Sequence, residues 1–173
     1  MNAVLQAMKE RRSVRAYQDK PVPWDAIERI CEAGTYAPTG MGFQSPIILA
    51  VTNRQLRDRL SAMNARIMGR DADPFYGAPV VLVVLADKSR GTYLYDGSLV
   101  MANLMLAAHA EGLGSCWIHR AKEEFESEEG KAILKELGIE GDYEGIGHCI
   151  LGYADGPAPE AKPRKADYVK WVE

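Results

Sequence analysis

Apolar residues recur with a helical period in several parts of the chain. The segment from Pro23 to Gly34 opens on a proline, carries Ile27, Ile30 and Cys31 at helical spacing and ends on a glycine. It therefore predicts a helix with both of its ends marked. A second helix, expected to cover a sheet, is predicted by Leu56, Leu60, Met63 and Ile67.

Continuous apolar runs rich in β-branched residues predict strands. Ile47–Val51 and Val80–Leu85 each follow a proline, and both are expected to be interior strands of a sheet. Ser115–Ile118 and His148–Leu151 predict a third and a fourth strand. The alternation of apolar and polar residues at Tyr168–Val172 predicts a terminal strand.

Two further segments predict helices of unusual composition. From Asp96 to Glu111 almost every face is apolar or small, which indicates burial on all sides in a thick core or a subunit interface. A chain of this length favours the interface. Glu123–Leu137 is acidic and then apolar, and Gly138 closes it as a helix.

Composition limits the classes of protein that fit this pattern. The chain has 173 residues, 47% of them apolar, which suits a single domain over residues 1–173. The net charge is −3 and the basic clusters lie near the two ends, which disfavours nucleic acid as a partner. No signal-peptide core or membrane-length apolar run is present, so a cytoplasmic protein is expected. Its three cysteines are far apart and odd in number, which favours reduced thiols.

Two basic clusters stand out against this acidic background. They are Arg11-Arg12-Ser13-Val14-Arg15 and Lys162-Pro163-Arg164-Lys165. Closely spaced guanidinium groups repel one another, and a bound dianion would relieve that repulsion. Arginine also suits bidentate contact with phosphate oxygens, while Ser13 offers a hydroxyl donor. The clusters are therefore interpreted either as two halves of an anion site or as solvated charge at a helix end.

A glycine-rich loop and the histidines are the other candidates for chemistry. The loop from Ala37 to Gln44 either lets backbone approach a ligand or only turns the chain. His119 follows Cys116 at a spacing seen in metal sites, but two ligands without a second pair do not predict a metal. His119 is instead a candidate proton donor towards a substrate. His109 and His148 are expected to form structural hydrogen bonds.

Five segments carry a family resemblance through their order and spacing. They are Arg11–Arg15, Ala37–Met41 leading to Gln44, Asp96-Gly97 with Ala102-Asn103-Leu104, Gly112–Ile118, and Leu151-Gly152-Tyr153. Together they resemble the FMN-dependent nitroreductase family of flavin oxidoreductases over nearly the whole chain. The resemblance implies an α+β nitroreductase-like fold, in which helices surround a mixed central β-sheet. It also implies a homodimer with the long buried helix in its interface and one FMN in each of two interfacial sites.

The resemblance implies a role for each candidate residue. On the phosphate side of FMN it places Arg11, Arg12 and Ser13, with Arg15 towards the pyrimidine ring and Lys162 and Arg164 closing on the same phosphate. From the partner subunit, Pro38, Thr39, Gly40 and Gln44 would reach the same FMN. The backbone of Trp117, Ile118 and His119 would lie near the central flavin ring.

The activity implied by the resemblance is oxidation of NADH or NADPH and reduction of a small acceptor such as a nitroaromatic or a quinone. Gly42 and Gln44-Ser45-Pro46 stand where many members have Asn and then Gln-Pro-Trp, so substrate preference does not carry over. Only Lys88–Tyr95 is left for a substrate lid. A flavin-storage or sensing protein, an enzyme that consumes reduced FMN, and a phosphate-binding domain unrelated to flavin remain alternatives.

Overall fold

The computed structural model describes residues 2–173 and contains six α-helices and four strands within that range. The helices are α1 (Ala3–Glu10), α2 (Trp24–Thr35), α3 (Arg54–Met68), α4 (Tyr93–Ala110), α5 (Ala121–Glu126) and α6 (Glu128–Glu136). The strands are β1 (Pro46–Val51), β2 (Val80–Asp87), β3 (Gly114–Ile118) and β4 (Tyr143–Gly152). A short 3₁₀ turn, Gly40–Gly42, lies between α2 and β1.

The four strands form one sheet in the order β1-β2-β4-β3, and every neighbouring pair is antiparallel. The mixed sheet expected from the family resemblance is therefore not present within residues 2–173, where the parallel pairing is limited to an isolated bridge between Ser13 and Ser115. Strand β1 lies at an edge of this sheet, so the prediction that it is interior was wrong. The apolar run of β1 did not distinguish an edge strand from an interior strand, because helices cover part of its surface and leave it half-buried.

Strand β2 divides the core into two layers. Val80, Leu82 and Val84 point towards α2 and α4, whereas Val81 and Val83 point towards the side covered by α3, α5 and α6. Both sets are almost fully buried, which explains why β2 is apolar throughout instead of alternating. The predictions of α2, α3 and all four strands of the sheet are confirmed to within a few residues at their ends.

Helix α4 is not buried on all sides within one chain. Val100, Met101 and Leu104 enter the core, but Leu94, Tyr95 and Leu99 keep 45%, 73% and 43% of their surface exposed. One chain therefore buries this helix only in part, and burial of its other face in a subunit interface stays a prediction. An exposed apolar stripe is what a subunit interface would cover. No helix within residues 2–173 combines the length and apolarity required to cross a membrane.

Two other predictions differ from the structure. The helix predicted over Glu123–Leu137 is broken at Ser127, whose extended backbone ends α5 and whose hydroxyl accepts a hydrogen bond from the Gly130 amide to begin α6. The terminal strand predicted at Tyr168–Val172 is absent from the described chain, because residues from Asp155 onwards are exposed and pair with no strand.

A fully buried polar trio lies between β4 and the helices α3 and α5 on one side of the sheet. Asn64 of α3, Glu124 of α5 and His148 of β4 are each 0% exposed. The Asn64 amide donates to Glu124, and His148 Nε2 lies 3.2 Å from the other carboxylate oxygen of Glu124. His148 Nδ1 lies 3.4 Å from the Ile118 carbonyl oxygen. This confirms the structural role expected for His148, since each ring nitrogen faces a protein acceptor.

Removal of one member of this trio is expected to destabilise the fold strongly. His148→Leu should lower the free energy of unfolding by about 3 to 5 kcal/mol, because the Glu124 carboxylate then stays buried without its imidazole partner. Urea unfolding of the purified protein measures this change.

Two further variants test the physical cause of the loss. Lys131→Ala removes an exposed ion pair with Glu128 and should change stability little. Adding Glu124→Gln to His148→Leu should recover part of the loss, because a neutral amide costs less than a carboxylate to leave buried without its partner. A His148→Leu protein as stable as the wild type would contradict the assigned role of the trio.

Candidate functional site

The basic segment Arg11–Arg15 is extended rather than helical. Helix α1 begins after Asn2, whose side chain accepts a hydrogen bond from the Val4 amide, and it ends at Glu10. Arg11 then turns to an extended backbone (φ −53°, ψ 133°). The arginines therefore do not share a helical face, and in an extended chain Arg12 points to the side opposite Arg11.

Close packing fixes this segment against the start of β3. The Val14 amide donates to the Ser115 carbonyl at 2.9 Å, next to the parallel bridge between Ser13 and Ser115. A side chain at Gly114 would come within 2.9 Å of the Val14 Cβ, so the approach requires glycine at that position. The structure thus brings two of the sequence-predicted groups together, the basic segment and the segment that leads to Trp117.

Arg11 carries the clearest sign of a missing ligand. Its Nη1 is buried and has no hydrogen-bond partner within residues 2–173. A buried donor without an acceptor costs about 1–3 kcal/mol, and more when it is charged, so native proteins leave few of them. An anionic oxygen at this position would satisfy the atom, and the Ser13 hydroxyl lies two residues along the same extended segment. The residues present therefore fit a phosphate group.

The charge of Arg11 also acts on the underlying strand. Burial raises the pKa of the Cys149 thiol to about 12, and the nearby Arg11 guanidinium opposes that shift. Cys149 is therefore a neutral thiol at physiological pH and does not neutralise the arginine. All three cysteines are free.

The other arginines of the segment have different surroundings. Arg12 donates from Nη1 to the carbonyl oxygens of Lys9 and Arg11, at 2.6 Å and 2.7 Å, and so caps the end of α1. Arg15 is exposed. The sequence pattern grouped these three arginines as equals, whereas the structure gives only Arg11 a buried and unsatisfied donor.

The tail cluster does not complete the site within one chain. Lys162 and Arg164 are exposed, and neither forms a hydrogen bond or ion pair with any residue of the described range. The tail leaves the body after Asp155, whose amide still donates to the Ala16 carbonyl. The role of Lys162 and Arg164 at the phosphate therefore stays a prediction.

The loop with Pro38, Thr39, Gly40 and Gln44 forms a second, separate group. Pro38 and Gln44 are exposed, and the Thr39 hydroxyl oxygen accepts a hydrogen bond from the Gln44 amide at 3.0 Å. The loop borders a cavity of about 360 Å³ between α2 and β1. No hydrogen bond or ion pair within residues 2–173 joins this loop to Arg11–Arg15.

The segment after β3 places His119 on the surface. Trp117 is half-buried and Ile118 is buried, whereas the side chain of His119 is exposed. The Asn64 amide donates to the His119 carbonyl oxygen at 2.8 Å, and Arg120 Nε donates to the Asn64 carbonyl oxygen at 2.8 Å. Arg120 itself adopts a left-handed backbone with φ +78°. The Asn64 side chain therefore fixes the backbone at Ile118–Arg120, and the exposed His119 imidazole can contact solvent or a ligand.

Sequence reasoning missed two residues that shape these groups. Asp96 was noted only as part of a motif, but its buried carboxylate accepts hydrogen bonds from the loop that carries Gly40. Asn64 holds the backbone of His119. The positions of Asp96 and Asn64 in their helices give no sign of these roles. A single aspartate in the otherwise apolar first turn of a helix is nevertheless a signal worth testing. Within residues 2–173 no cluster of three or more potential ligands for a metal occurs.

An apolar groove lies beside α1. It has a volume of about 460 Å³ and is lined by α1, α2 and α4. Three apolar side chains of α1 beside it, those of Val4, Leu5 and Met8, are each more than half exposed. Helix α1 buries no residue of its own, so one chain leaves its apolar face uncovered.

Comparisons with known proteins agree with this arrangement. A Bacteroides fragilis nitroreductase crystallised with bound FMN superposes with a TM-score of 0.89 and 32% identity over 100% of both chains. A Desulfitobacterium hafniense nitroreductase, also with bound FMN, has a TM-score of 0.88 and 28% identity over 100% of both chains. The nitroreductase-like α+β fold is thereby confirmed.

Sequence comparison, which does not depend on the fold, also finds similarity to nitroreductases. A Methanothermobacter thermautotrophicus protein, whose name includes NADH dehydrogenase and NAD(P)H nitroreductase, is 34% identical over 119 residues. That match spans 66% of this chain and 59% of the relative. The family model described as Nitroreductase family matches residues 8–74 and 66–153. The chain therefore belongs to the nitroreductase family.

Proposed function

We propose that the protein is an FMN-dependent oxidoreductase that uses NADH or NADPH to reduce a small acceptor such as a nitroaromatic or a quinone. The observation that carries the proposal is the buried, unpartnered Nη1 of Arg11, beside a fold shared with nitroreductases that hold FMN. A terminal phosphate supplies the acceptor that this atom lacks. FMN, when bound, supplies the hydride acceptance and electron transfer of the reaction.

The chain's own residues have distinct tasks in this proposal. Arg11 and Ser13 bind the phosphate, and Arg12 fixes the turn from α1 into that segment by its bonds to Lys9 and Arg11 carbonyls. Arg15 extends towards the pyrimidine edge, where its charge favours negative charge on the reduced ring. Lys162 and Arg164 close over the phosphate from the tail. Closure of an exposed basic tail on a dianion gains charge-assisted hydrogen bonds.

The segment after β3 faces the reacting part of the site in this proposal. The hydrogen bond from Asn64 to the His119 carbonyl keeps the backbone of Trp117, Ile118 and His119 in one position. The exposed imidazole of His119 is available to donate a proton to the acceptor as the acceptor takes up electrons. No strong nucleophile is required from the protein, because the cofactor carries the electron chemistry.

A homodimer completes the site in the same proposal. Pro38, Thr39, Gly40 and Gln44 lie apart from Arg11 in one chain, which is the separation expected if they serve the cofactor of the partner subunit. The exposed stripe of α4 and the groove of about 460 Å³ beside α1 offer an apolar surface for the second copy. Since each cofactor would contact both chains, FMN binding and dimerisation are expected to be coupled.

The oxidoreductase proposal is tested by anaerobic visible absorption spectroscopy. The purified protein with added FMN should retain the flavin through gel filtration, and the flavin absorption should bleach when NADH or NADPH is added, because hydride transfer reduces the ring. Re-oxidation by a nitroaromatic or a quinone should then restore it.

Three other outcomes would each contradict one part of this proposal. Flavin that binds but stays oxidised with both nucleotides would indicate a storage or sensing protein. Flavin absorption that is lost under air and reductant, and does not return, would indicate that FMN is consumed. Failure to retain any flavin would contradict the cofactor itself.

The phosphate contact is tested by charge removal at Arg11. Arg11→Ala should raise the dissociation constant for FMN by about tenfold to a hundredfold, because a charge-assisted hydrogen bond contributes about 1.5–3 kcal/mol. Arg164→Ala should weaken binding in the same direction if the tail closes. Fluorescence quenching of the flavin measures both constants.

Riboflavin, which lacks the phosphate, separates this contact from general damage to the site. Its affinity should be lower than that of FMN for the wild type and should change little in Arg11→Ala. Arg54→Ala is the matched control, because Arg54 is an exposed arginine on α3 that pairs with Asp58. Equal affinity of the wild type for FMN and riboflavin would contradict the roles of both basic clusters.

A further inference from the structure

Asp96 is a buried carboxylate without a cationic partner. It lies in the first turn of α4 and is 3% exposed. Its oxygens accept hydrogen bonds from the Gly40 amide at 3.0 Å, the Ser45 hydroxyl at 3.2 Å and the Thr92 hydroxyl at 2.9 Å. No salt bridge reaches Asp96 from any part of the described chain. Three neutral donors and the positive end of α4 therefore stabilise its charge.

Two of these donors belong to the loop between α2 and β1. Gly40 stands at the start of the 3₁₀ turn, and Ser45 stands immediately before β1. Asp96 therefore ties both ends of residues 40–45 to one point on α4. A side chain on Gly40 would overlap the Thr92 hydroxyl, so glycine is required for the loop to reach Asp96.

The loop between these two anchors is conformationally strained. Met41 and Gln44, neither of them glycine, have φ values of +53° and +52°. Such left-handed conformations cost roughly 1–3 kcal/mol each and persist only where surrounding contacts hold them. Met41 and Gln44 are nevertheless exposed, so no packing around their side chains explains the strain. Hydrogen bonds within the loop, such as that from the Gln44 backbone amide to the Thr39 hydroxyl, contribute to this conformation, and the hydrogen bonds to Asp96 fix both of its ends to α4.

We propose that Asp96 is a positioning residue for the cofactor site of the partner subunit. By fixing both ends of residues 40–45, it presents Thr39, Gly40 and Gln44 outward in the one geometry that the partner's cofactor requires. This inference rests on the proposed FMN-binding homodimer. It adds that an internal carboxylate of one chain controls a site whose phosphate is held by Arg11 of the other chain.

The first experiment measures FMN affinity of the whole protein after truncation of the carboxylate. Asp96→Ala removes all three hydrogen bonds and should raise the dissociation constant for FMN by about tenfold or more. Asp25→Ala is the matched control, because Asp25 is an exposed aspartate of α2 that pairs with Arg29, and it should bind FMN like the wild type.

Asparagine at the same position separates geometry from charge. Its carbonyl oxygen can accept from the Gly40 amide, and its NH₂ can donate to the Ser45 and Thr92 hydroxyls, which accept as well as donate. Asp96→Asn should therefore bind FMN at least about tenfold more tightly than Asp96→Ala. Asparagine as weak as alanine would overturn the hydrogen-bonding role.

A heterodimer determines in which subunit Asp96 acts. Chains carrying Arg11→Ala and Asp96→Ala, each with a different affinity tag, are co-expressed and purified over both tags. If Asp96 serves the partner's site, one site of this heterodimer combines an intact Arg11 with an intact loop and the other site lacks both. The heterodimer should then bind half the wild-type amount of FMN with wild-type affinity.

The alternatives give different results in the same experiment. If Asp96 served only the site of its own chain, or only supported the fold of its own chain, both sites of the heterodimer would be impaired and no tight FMN would bind. That result, a protein that is monomeric, or Asp96→Ala with wild-type affinity would overturn the proposal. Wild-type protein that binds no FMN would instead contradict the proposed function, so the two failures are distinguishable.

If Asp96→Ala is too unstable to purify, Gly40→Ala provides a second test. This change leaves the buried carboxylate in place but forces the loop away from Thr92. It should weaken FMN binding in the same direction and show the same recovery in a heterodimer with Arg11→Ala. Wild-type FMN affinity in Gly40→Ala would overturn the proposal.

Discussion

The paired strands β2 and β4 are the constraint on which the rest of the structure depends. They form the centre of the sheet, and nearly every residue of both is buried, so neither strand has a face on which polar chemistry could be displayed. Close packing is part of this constraint. A side chain on Gly147 would come within 2.8 Å of the Trp117 ring, so β4 requires glycine where Trp117 lies over it. Solvent-accessible polar groups of these two strands are consequently confined to their ends, and His148 inside β4 is fully buried.

The basic segment shows how a buried charge is tolerated under this constraint. Val14 packs onto Gly114 and ties the segment to β3, and the same packing draws the Arg11 guanidinium towards the Cys149 layer of the sheet. The arginine loses water there without gaining a protein acceptor for Nη1. Asp96 solves the opposite problem, because three neutral donors surround it in place of a cation. An unsatisfied donor indicates a ligand, whereas a fully satisfied carboxylate indicates a structural fixing point.

Local patterns were sufficient for most elements of the fold and for the family, and insufficient for contacts between distant residues. Apolar period and composition located α2, α3 and the four strands, because burial acts on consecutive residues. They did not distinguish an edge strand from an interior one at Ile47–Val51, since helices cover part of that strand as well. The break at Ser127 was detectable, because a serine before two glutamates is a helix-starting signal. The roles of Asp96 and Asn64 were not, because their partners, apart from Thr92 beside Asp96, lie 51 to 60 positions away.

The candidate site is divided between two parts of the chain. Arg11 and its neighbours lie beside β3, whereas Thr39, Gly40 and Gln44 lie at the start of α4, and no hydrogen bond or ion pair of the described chain joins the two groups. Each group is separately rigid, one through packing on Gly114 and the other through Asp96. Rigid groups held apart in this way are of little use to a small ligand in a single chain. In the proposed homodimer a second copy would cover the apolar stripe of α4, and dimer symmetry would place one group of each kind at every site.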